Sequence, residues 1–356
     1  MKIGIIGHLK YPIAKPYAGG LESFTDAYVR NLVKRGHDVT LFASGDSDPS
    51  LPLTPIIDRA TIPDSRRRLG RIHNEWVESV EDEAYEHLMT ALGQQSFDVI
   101  HNHSLSPIPL RFAGIVATPM LTTLHAPPLE RMVAELNARS CFRCGQFVNI
   151  SNANADAWKS HIQNQSVIYN GVDTGFWNQA GVARCKRAIW FGRILPDKGT
   201  HLAIDAARRA RLPIDIVGPV CDDDYFQREV LPRLDRETCY LGHQRHEDLC
   251  RLIARSAVAI VTPCWDEPFG LVVAESLACG TPVAGFARGA LPEIIDKSVG
   301  SLAAPGDVWQ LADAVRECLT LSSQRCRLVA QQRFSFDRMV DHYEAMYERT
   351  RAEVAA

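Results

Sequence analysis

The sequence predicts an α/β protein made of two doubly wound parallel sheets, each with the Rossmann-like succession of strand, loop and helix. Three observations carry this. From Lys2 to Ala43 the chain reads as an apolar strand, a glycine-containing loop, an amphipathic helix and a second strand, the βαβ unit in which neighbouring strands run parallel beneath covering helices. A second series of short apolar runs, alternating with helical patterns, begins at Ala188. The 356 residues also exceed one typical core, so two domains are the natural expectation.

Taken in order, Lys2 to Gly7 is a near-continuous apolar run, and His8 to Gly20 is a loop holding Pro12, Pro16, Gly19 and Gly20. Leu21, Phe24, Tyr28 and Leu32 share one face of a helix that runs to about Lys34 and stops at Gly36; Val39 to Ala43 is the next strand. Paired glycines before a helix either let backbone approach a phosphate or sugar, or simply shape a turn. Ser44 to Pro63 is polar and proline-rich and reads as loop. From Ile72, residues Trp76, Val80, Ala84, Leu88 and Leu92 repeat every four positions as a long amphipathic helix. Arg66, Arg67, Arg68 and Arg71 before it form either a solvated patch or a contact for anionic lipid or a phosphorylated acceptor.

Asp98 to Asn102 is a strand running into His103, and the alternation of His101 and His103 puts both on one side of its end, for ligand contact or for sheet-edge packing. Met120 to Leu124 is a strand followed by His125, Ala126, Pro127 and Pro128. The carboxyl end of a parallel strand is the edge at which open α/β sheets bind ligands. Gln146 to Ile150 is a further strand, with Ser151 as a helix cap.

In the second series Ala188 to Phe191 is a strand, Gly192 to Gly199 a loop with two cations, Arg193 and Lys198, and Thr200 to Ala210 a helix. Strands at Ile214–Val217, Cys239–Leu241, Val258–Val261 and Val283–Phe286 alternate with helices, and amphipathic helices follow at Val308–Leu321 and from Phe336 to about Arg349. The densest chemistry lies in Thr262 to Pro282, TPCWDEPFGLVVAESLACGTP. Pro263 and Pro268 break regularity there, Gly270 opens a helix, and Gly280 with Pro282 ends it. Glu267 therefore sits on a loop and Glu275 within the helix, where it is the sole charge in an apolar segment. A buried carboxylate needs a partner, and the amides of Gly270, Leu271 and Val272 offer a phosphate seat.

Composition bounds the rest. A formal charge of −3 gives no argument for a nucleic-acid partner. Ten cysteines at irregular spacing, with no secretory leader before the first strand, read as reduced thiols of a cytoplasmic protein. Cys141 and Cys144 form a Cys-x2-Cys that no second pair completes into a zinc site. The acidic run Asp222 to Asp224 reads as loop decoration rather than a metal-binding Asp-x-Asp, and no run of about eighteen apolar residues crosses a membrane. Weak peripheral contact at the inner membrane face is the membrane role left open.

With these motifs in place, the chain resembles the retaining glycosyltransferases of the GT-B fold, family 4, also called glycosyl transferases group 1. The resemblance rests on YAGGLESF, TLHAPP around His125, FGRILPDKG with Arg193 and Lys198, and the Glu-x7-Glu segment from Glu267 to Glu275, and covers nearly the whole chain. It implies two domains facing across a cleft: 1–165 with the C-terminal helix 336–356 on the acceptor side, and 166–335 binding a nucleotide-sugar, the crossing falling near the Asn170 to Asp173 turn. The implied donor is a UDP-sugar, with GDP-mannose second, and the sugar passes with retention to a saccharide, lipid-linked or small-molecule acceptor without metal or other cofactor.

The resemblance also implies roles. Arg193, Lys198 and the amides of Gly270, Leu271 and Val272 would stabilise the leaving diphosphate where charge develops. Glu275 would accept hydrogen bonds from the ribose hydroxyls, Glu267 would hold the sugar, and His125 would orient it. Phe269, Gly19 and Gly20 join the donor-binding set, and His101 with His103 the acceptor side. Front-face substitution and double displacement through Glu267 both remain open. A catalytically silent nucleotide-sugar-binding protein, or a GT-B phosphorylase or epimerase, is the alternative.

Overall fold

The computed structural model describes residues 1–138 and 145–355, with side chains through 352; Cys141 and Cys144 lie outside the described residues. The chain divides into two compact units, one of Met1–Ile150, Asn154–Ile168 and Val340–Ala356, the other of Ser151–Ala153 and Tyr169–Met339.

The first unit opens with β1 (Lys2–Ile6), α1 (Gly20–Lys34), β2 (Asp38–Ser44) and β3 (Leu53–Ile57), then α2 (Thr61–Leu69) and α3 (Asn74–Leu92). It continues through β4 (Val99–Asn102), α4 (Pro107–Phe112), β5 (Met120–Leu124), α5 (Glu130–Ala138), β6 (Gln146–Asn149), α6 (Asn152–Trp158) and β7 (Gln165–Val167). Its seven strands lie in the order β3-β2-β1-β4-β5-β6-β7, all parallel. The winding direction reverses between β1 and β4, and the carboxyl ends of the strands at such a switch point are where open α/β sheets generally bind ligands. Strands covered on both faces must be apolar throughout, and Ile3, Ile5, Ile6, Val99 and Ile100 have no exposure.

The second unit holds β8 (Ala188–Phe191), α7 (Thr200–Arg209), β9 (Ile214–Val217), a one-turn α8 (Asp223–Tyr225), β10 (Thr238–Tyr240) and α9 (His246–Arg255). After these come β11 (Val258–Val261), α10 (Leu271–Ala278), β12 (Val283–Phe286), α11 (Leu291–Ile294), β13 (Gly300–Ala303), α12 (Val308–Cys318) and α13 (Ser323–Arg333). The order β10-β9-β8-β11-β12-β13 is parallel throughout, with its switch point between β8 and β11. The last helix, α14 (Phe336–Ala355), starts in this unit and belongs to the first from Val340 onward. There Tyr343 and Tyr347 are fully buried against the back of the first sheet.

One expectation needs correction. The stretch Ser44 to Pro63 is not all loop: β3 pairs with β2 as an edge strand, a position that tolerates Pro55 because only one side of the strand must donate to a neighbour. The arginine cluster is solvent-exposed, with Arg66, Arg67, Arg68 and Arg71 all on the surface. Arg66 to Arg68 form the last turn of α2, and Arg67 and Arg68 both bind the nearly buried Asp64 carboxylate at 2.6 Å. At the start of α6 the Ser151 hydroxyl donates to the Pro268 carbonyl, 2.6 Å away, and the Glu293 carboxylate accepts the Asn152 and Ala153 amides at 2.9 Å each. Among the described residues no helix is long and apolar enough to cross a membrane.

Candidate active site

In the second unit the two strands at the switch point send out the loops that carry the expected chemistry. The loop after β8 turns at Gly199, whose φ of 61° is left-handed and whose added Cβ would lie 2.3 Å from the Thr262 carbonyl oxygen. That close approach zips it to the loop after β11: the Cys264 amide donates to the Asp197 carbonyl at 2.7 Å, and the Thr262 hydroxyl donates to the Lys198 and Gly199 carbonyls at 3.0 and 2.9 Å. Lys198 and Glu267 consequently meet, Nζ to Oε2 at 2.5 Å. Trp265 Nε1 donates to the same carboxylate at 3.1 Å, and the ammonium stands 5.2 Å from the Trp265 ring centre.

Glu267 is fixed from a second side. Gly289 has φ 56°, and a Cβ there would fall 2.3 Å from the Glu267 carbonyl oxygen and 2.4 Å from its amide nitrogen; the Ala290 amide donates to that carbonyl at 2.8 Å. Gly289→Ala must strain the backbone and push the Glu267 loop away. We expect it to destabilise the second unit by about 2–3 kcal/mol, read as a lowered urea midpoint, and to uncouple Lys198 from Glu267.

Helix α10 begins at Gly270, in the left-handed region with φ 89°, and the amides of Gly270, Leu271 and Val272 donate to no backbone carbonyl of the described residues. Glu275 is half-buried on this otherwise apolar helix, and its carboxyl has no hydrogen-bond or ion-pair partner among the described residues. Burial, with a smaller effect of Cys250, pushes its pKa up to about 7. Arg193 is exposed and makes no side-chain hydrogen bond or ion pair to a described residue. Phe269 requires correction as a donor contact: its ring is 1% exposed and packs between Tyr169 and Phe334, at centroid distances of 6.1 and 6.0 Å. It anchors the loop from inside. Asp222, the first of the acidic run, accepts the Tyr225 amide as the cap of α8. Among the described residues no three His, Cys, Asp or Glu side chains converge as a metal site.

In the first unit the histidines form a stack. His101 and His103, two residues apart on one side of β4, have ring centres 3.9 Å apart, and His103 Nδ1 lies 2.7 Å from His125 Nε2. His101 spends both ring nitrogens internally, on the Tyr347 hydroxyl at 2.6 Å and the Thr123 hydroxyl at 2.7 Å. With exposures of 0% and 1%, His101 and His103 are not presented to an acceptor; of the two roles the sequence allowed, packing is the one the burial supports. Only His125 keeps exposed surface. Burial drives all three imidazoles below the ordinary value of 6.5, His125 to about 3 with a smaller push from His8. Gly19 and Gly20 do not serve a left-handed turn. Gly19 is extended at φ −163° as the cap of α1, and a Cβ on it would press on the Glu22 carboxylate at 3.1 Å, which lies 3.2 Å from His8 Nε2.

These imidazoles give the first unit a definite acid sensitivity. A folded-state pKa depressed below 6.5 stabilises above that pH and is lost as pH falls toward the depressed value, because the unfolded chain takes up protons that the folded chain refuses. All three groups act in the same direction, so the first unit loses stability as pH falls below about 6. Urea unfolding with mapping of exposed segments should show a far lower midpoint for the first unit at pH 5.5 than at pH 7.5; an unchanged midpoint contradicts the neutral stack.

Trp265, Thr262, Gly289 and the pair His8 and Glu22 were not singled out in the sequence. Trp265 stood two residues from Glu267, a spacing that places side chains on the same side of an extended segment. The others carried no local signal.

Two doubly wound parallel sheets, the second with a helix start between two glutamates, are the architecture of the GT-B class, and comparison with known proteins agrees. Residues 18–176 match the profile of Glycosyltransferase Family 4 and residues 183–333 that of Glycosyl transferases group 1. The glycogen synthase of Mycobacterium tuberculosis is 30% identical over 273 residues, 67% of this chain and 65% of that protein. The D-inositol 3-phosphate glycosyltransferase of Mycobacterium bovis is 32% identical over 218 residues, 53% of this chain and 45% of that protein. The chain thus spans less than two thirds of the length of either relative. Among solved structures, a sucrose-phosphate synthase from Thermosynechococcus elongatus superposes with a TM-score of 0.79 at 20% identity, covering 99% of this chain and 100% of that one. Anabaena HepE, solved with UDP-glucose, superposes at 0.72 with 18% identity, covering 97% and 100%. The chain belongs to the group 1 glycosyltransferases and has the GT-B fold.

Proposed function

We propose that the chain is a retaining glycosyltransferase that moves a sugar from a nucleotide-sugar, a UDP-sugar before GDP-mannose, to a saccharide, lipid-linked or small-molecule acceptor in the cytoplasm. The carrying observation is Glu275, a half-buried carboxylate that has no partner among the described residues and stands on an apolar helix whose first amides likewise donate to no described backbone carbonyl. Ribose hydroxyls donate to that carboxylate, and the diphosphate accepts from the helix start. The Anabaena relative's complex with UDP-glucose is consistent with this class of donor.

When the bond from the anomeric carbon to the diphosphate breaks, negative charge collects on the phosphate, and preformed positive groups lower that barrier. Arg193 and Lys198 supply them without a metal. The acceptor oxygen then bonds to the anomeric carbon on the face the phosphate has left, and its proton passes to a phosphate oxygen. Glu267 already accepts from Lys198 and Trp265, which makes it a poor nucleophile and favours the front-face route over double displacement. Its place is beside the sugar, holding hydroxyls and steadying positive charge. His125, neutral near pH 7, orients the sugar and takes no proton.

The test is a thermal-shift panel of UDP-glucose, GDP-mannose and ADP-glucose, followed by product analysis. A donor at 100 times its dissociation constant stabilises the fold by about 2.7 kcal/mol. One member should shift the transition and be slowly hydrolysed; a panel without binding or hydrolysis overturns the proposal, and binding without turnover makes the chain a sugar-nucleotide-binding protein.

A further inference from the structure

The contact between His103 and His125 has one proton to place. Both imidazoles are neutral, and their facing nitrogens, His103 Nδ1 and His125 Nε2, are 2.7 Å apart, so one donates and the other accepts. If His125 donated, His103 would carry its own proton on Nε2, and that nitrogen is buried with no hydrogen-bond partner among the described residues. If His103 donates, the orphan atom is a bare nitrogen instead. Unpaired buried N–H groups are the rarer of the two in folded proteins, because a stranded donor forfeits its full hydration. The His103 ring cannot swap its nitrogens cheaply. His101 lies 3.9 Å from it, centre to centre, and Phe24 and Tyr28 lie 5.6 and 5.7 Å away, while His101 is itself pinned by Tyr347 and Thr123.

We propose that His103 is a positioning residue that locks His125 as its Nδ1–H tautomer, so that His125 meets the donor sugar as a hydrogen-bond donor through Nδ1. His125 Nδ1 makes no hydrogen bond to a described residue, and His125 is the one member of the stack with exposed surface. The ligand atom it fits is therefore an oxygen lone pair on the sugar rather than a hydroxyl proton. This rests on the proposed function for the identity of the ligand, but not for the tautomer, which is a property of the free protein.

The two are tested separately. Long-range proton–nitrogen NMR on protein carrying labelled histidine, with His125 assigned among the twelve histidines by its loss in His125→Gln, reads the tautomer directly. A protonated Nδ1 and a bare Nε2 on His125 support the proposal; the reverse overturns it, whatever the enzyme transfers. His103→Phe keeps an aromatic ring in the stack and removes the donor. It should mix the His125 tautomers and lower kcat for UDP-glucose by about tenfold, the worth of one hydrogen bond, with KM little changed. His103→Asn, whose amide nitrogen stands near the place of Nδ1, should restore both the spectrum and most of the rate. Equal loss in both variants with an unaltered His125 spectrum reduces His103 to a packing residue and overturns the assignment. If His103→Phe does not fold, the wild-type spectrum and His103→Asn still decide. A wild-type spectrum with protonated Nδ1 but no turnover of any nucleotide-sugar sinks the proposed function and leaves the tautomer standing.

Discussion

Replacing Glu275 with Gln is expected to weaken UDP binding about a hundredfold while making the free protein more stable above pH 7. The loss follows from charge-assisted hydrogen bonds to two ribose hydroxyls, each worth about 1.5–3 kcal/mol, of which a neutral amide keeps only part. The gain follows from Glu275 having no partner among the described residues. Its folded pKa is raised from 4.5 to about 7, so its contribution to stability is fully present below 4.5 and is lost as pH rises through 7. Ionised at pH 8.5, the half-buried carboxylate costs the fold about 1–3 kcal/mol after allowance for its partial exposure. Urea unfolding should show Glu275→Gln more stable than the parent at pH 8.5 and equal to it at pH 5, while calorimetric titration with UDP shows the weaker binding. A variant that binds UDP normally, or gains nothing at pH 8.5, removes Glu275 as the nucleotide anchor. A site that is unfavourable until filled is what a binding pocket requires, since any internal partner would compete with the ligand.

Arg193→Ala should lower kcat by about 10²–10³ and change the donor's KM much less, the signature of a group whose interaction strengthens as charge leaves the sugar. The size of the effect reflects how few cations are free. Lys198 is engaged with Glu267 at 2.5 Å, which leaves Arg193 as the cation of its loop with no partner among the described residues. Arg193→Lys keeps the charge but not the planar fork that binds two phosphate oxygens at once, and should recover only part of the rate. Steady-state kinetics on the donor found in the binding screen measure this; a kcat within threefold of the parent shows that the helix start and Lys198 suffice.

The fold was legible where burial on both faces left no choice of residue type. β1, β8, β9, β11 and β12 read directly as apolar runs, because parallel strands under helices admit little else. β3 and β13 were not legible, since an edge strand has one neighbour and tolerates the Pro55 or Ser301 that disguise it. Glu275 stood out as a single charge in an apolar octet. The meeting of Lys198 and Glu267, 69 positions apart, could not be read locally, because it depends on β8 and β11 being neighbours. The alternation of His101 and His103 gave their common side correctly but not their depth. His101 sits on β4 at the centre of the sheet, directly under α14, and that depth is a tertiary property. Phe269 was misread for the same reason: next to Gly270 an aromatic ring suits a ligand as well as a core, and only the positions of Tyr169 and Phe334 separate the two.

The tyrosines of α14 also set an order of assembly on the ribosome. His101 and Tyr347 are 246 positions apart, and Tyr28 is bonded to Tyr347 across 319, so the first unit is started first and closed last. The second unit has its whole sequence available once Met339 has emerged and can fold while the first still shows the buried face of β4 and β5. Closing so long a loop costs entropy before its contacts repay it. A nascent first unit therefore waits with the His101 and Thr123 face of β4 and β5 uncovered, and a chain truncated before Val340 is expected to be the more aggregation-prone for it.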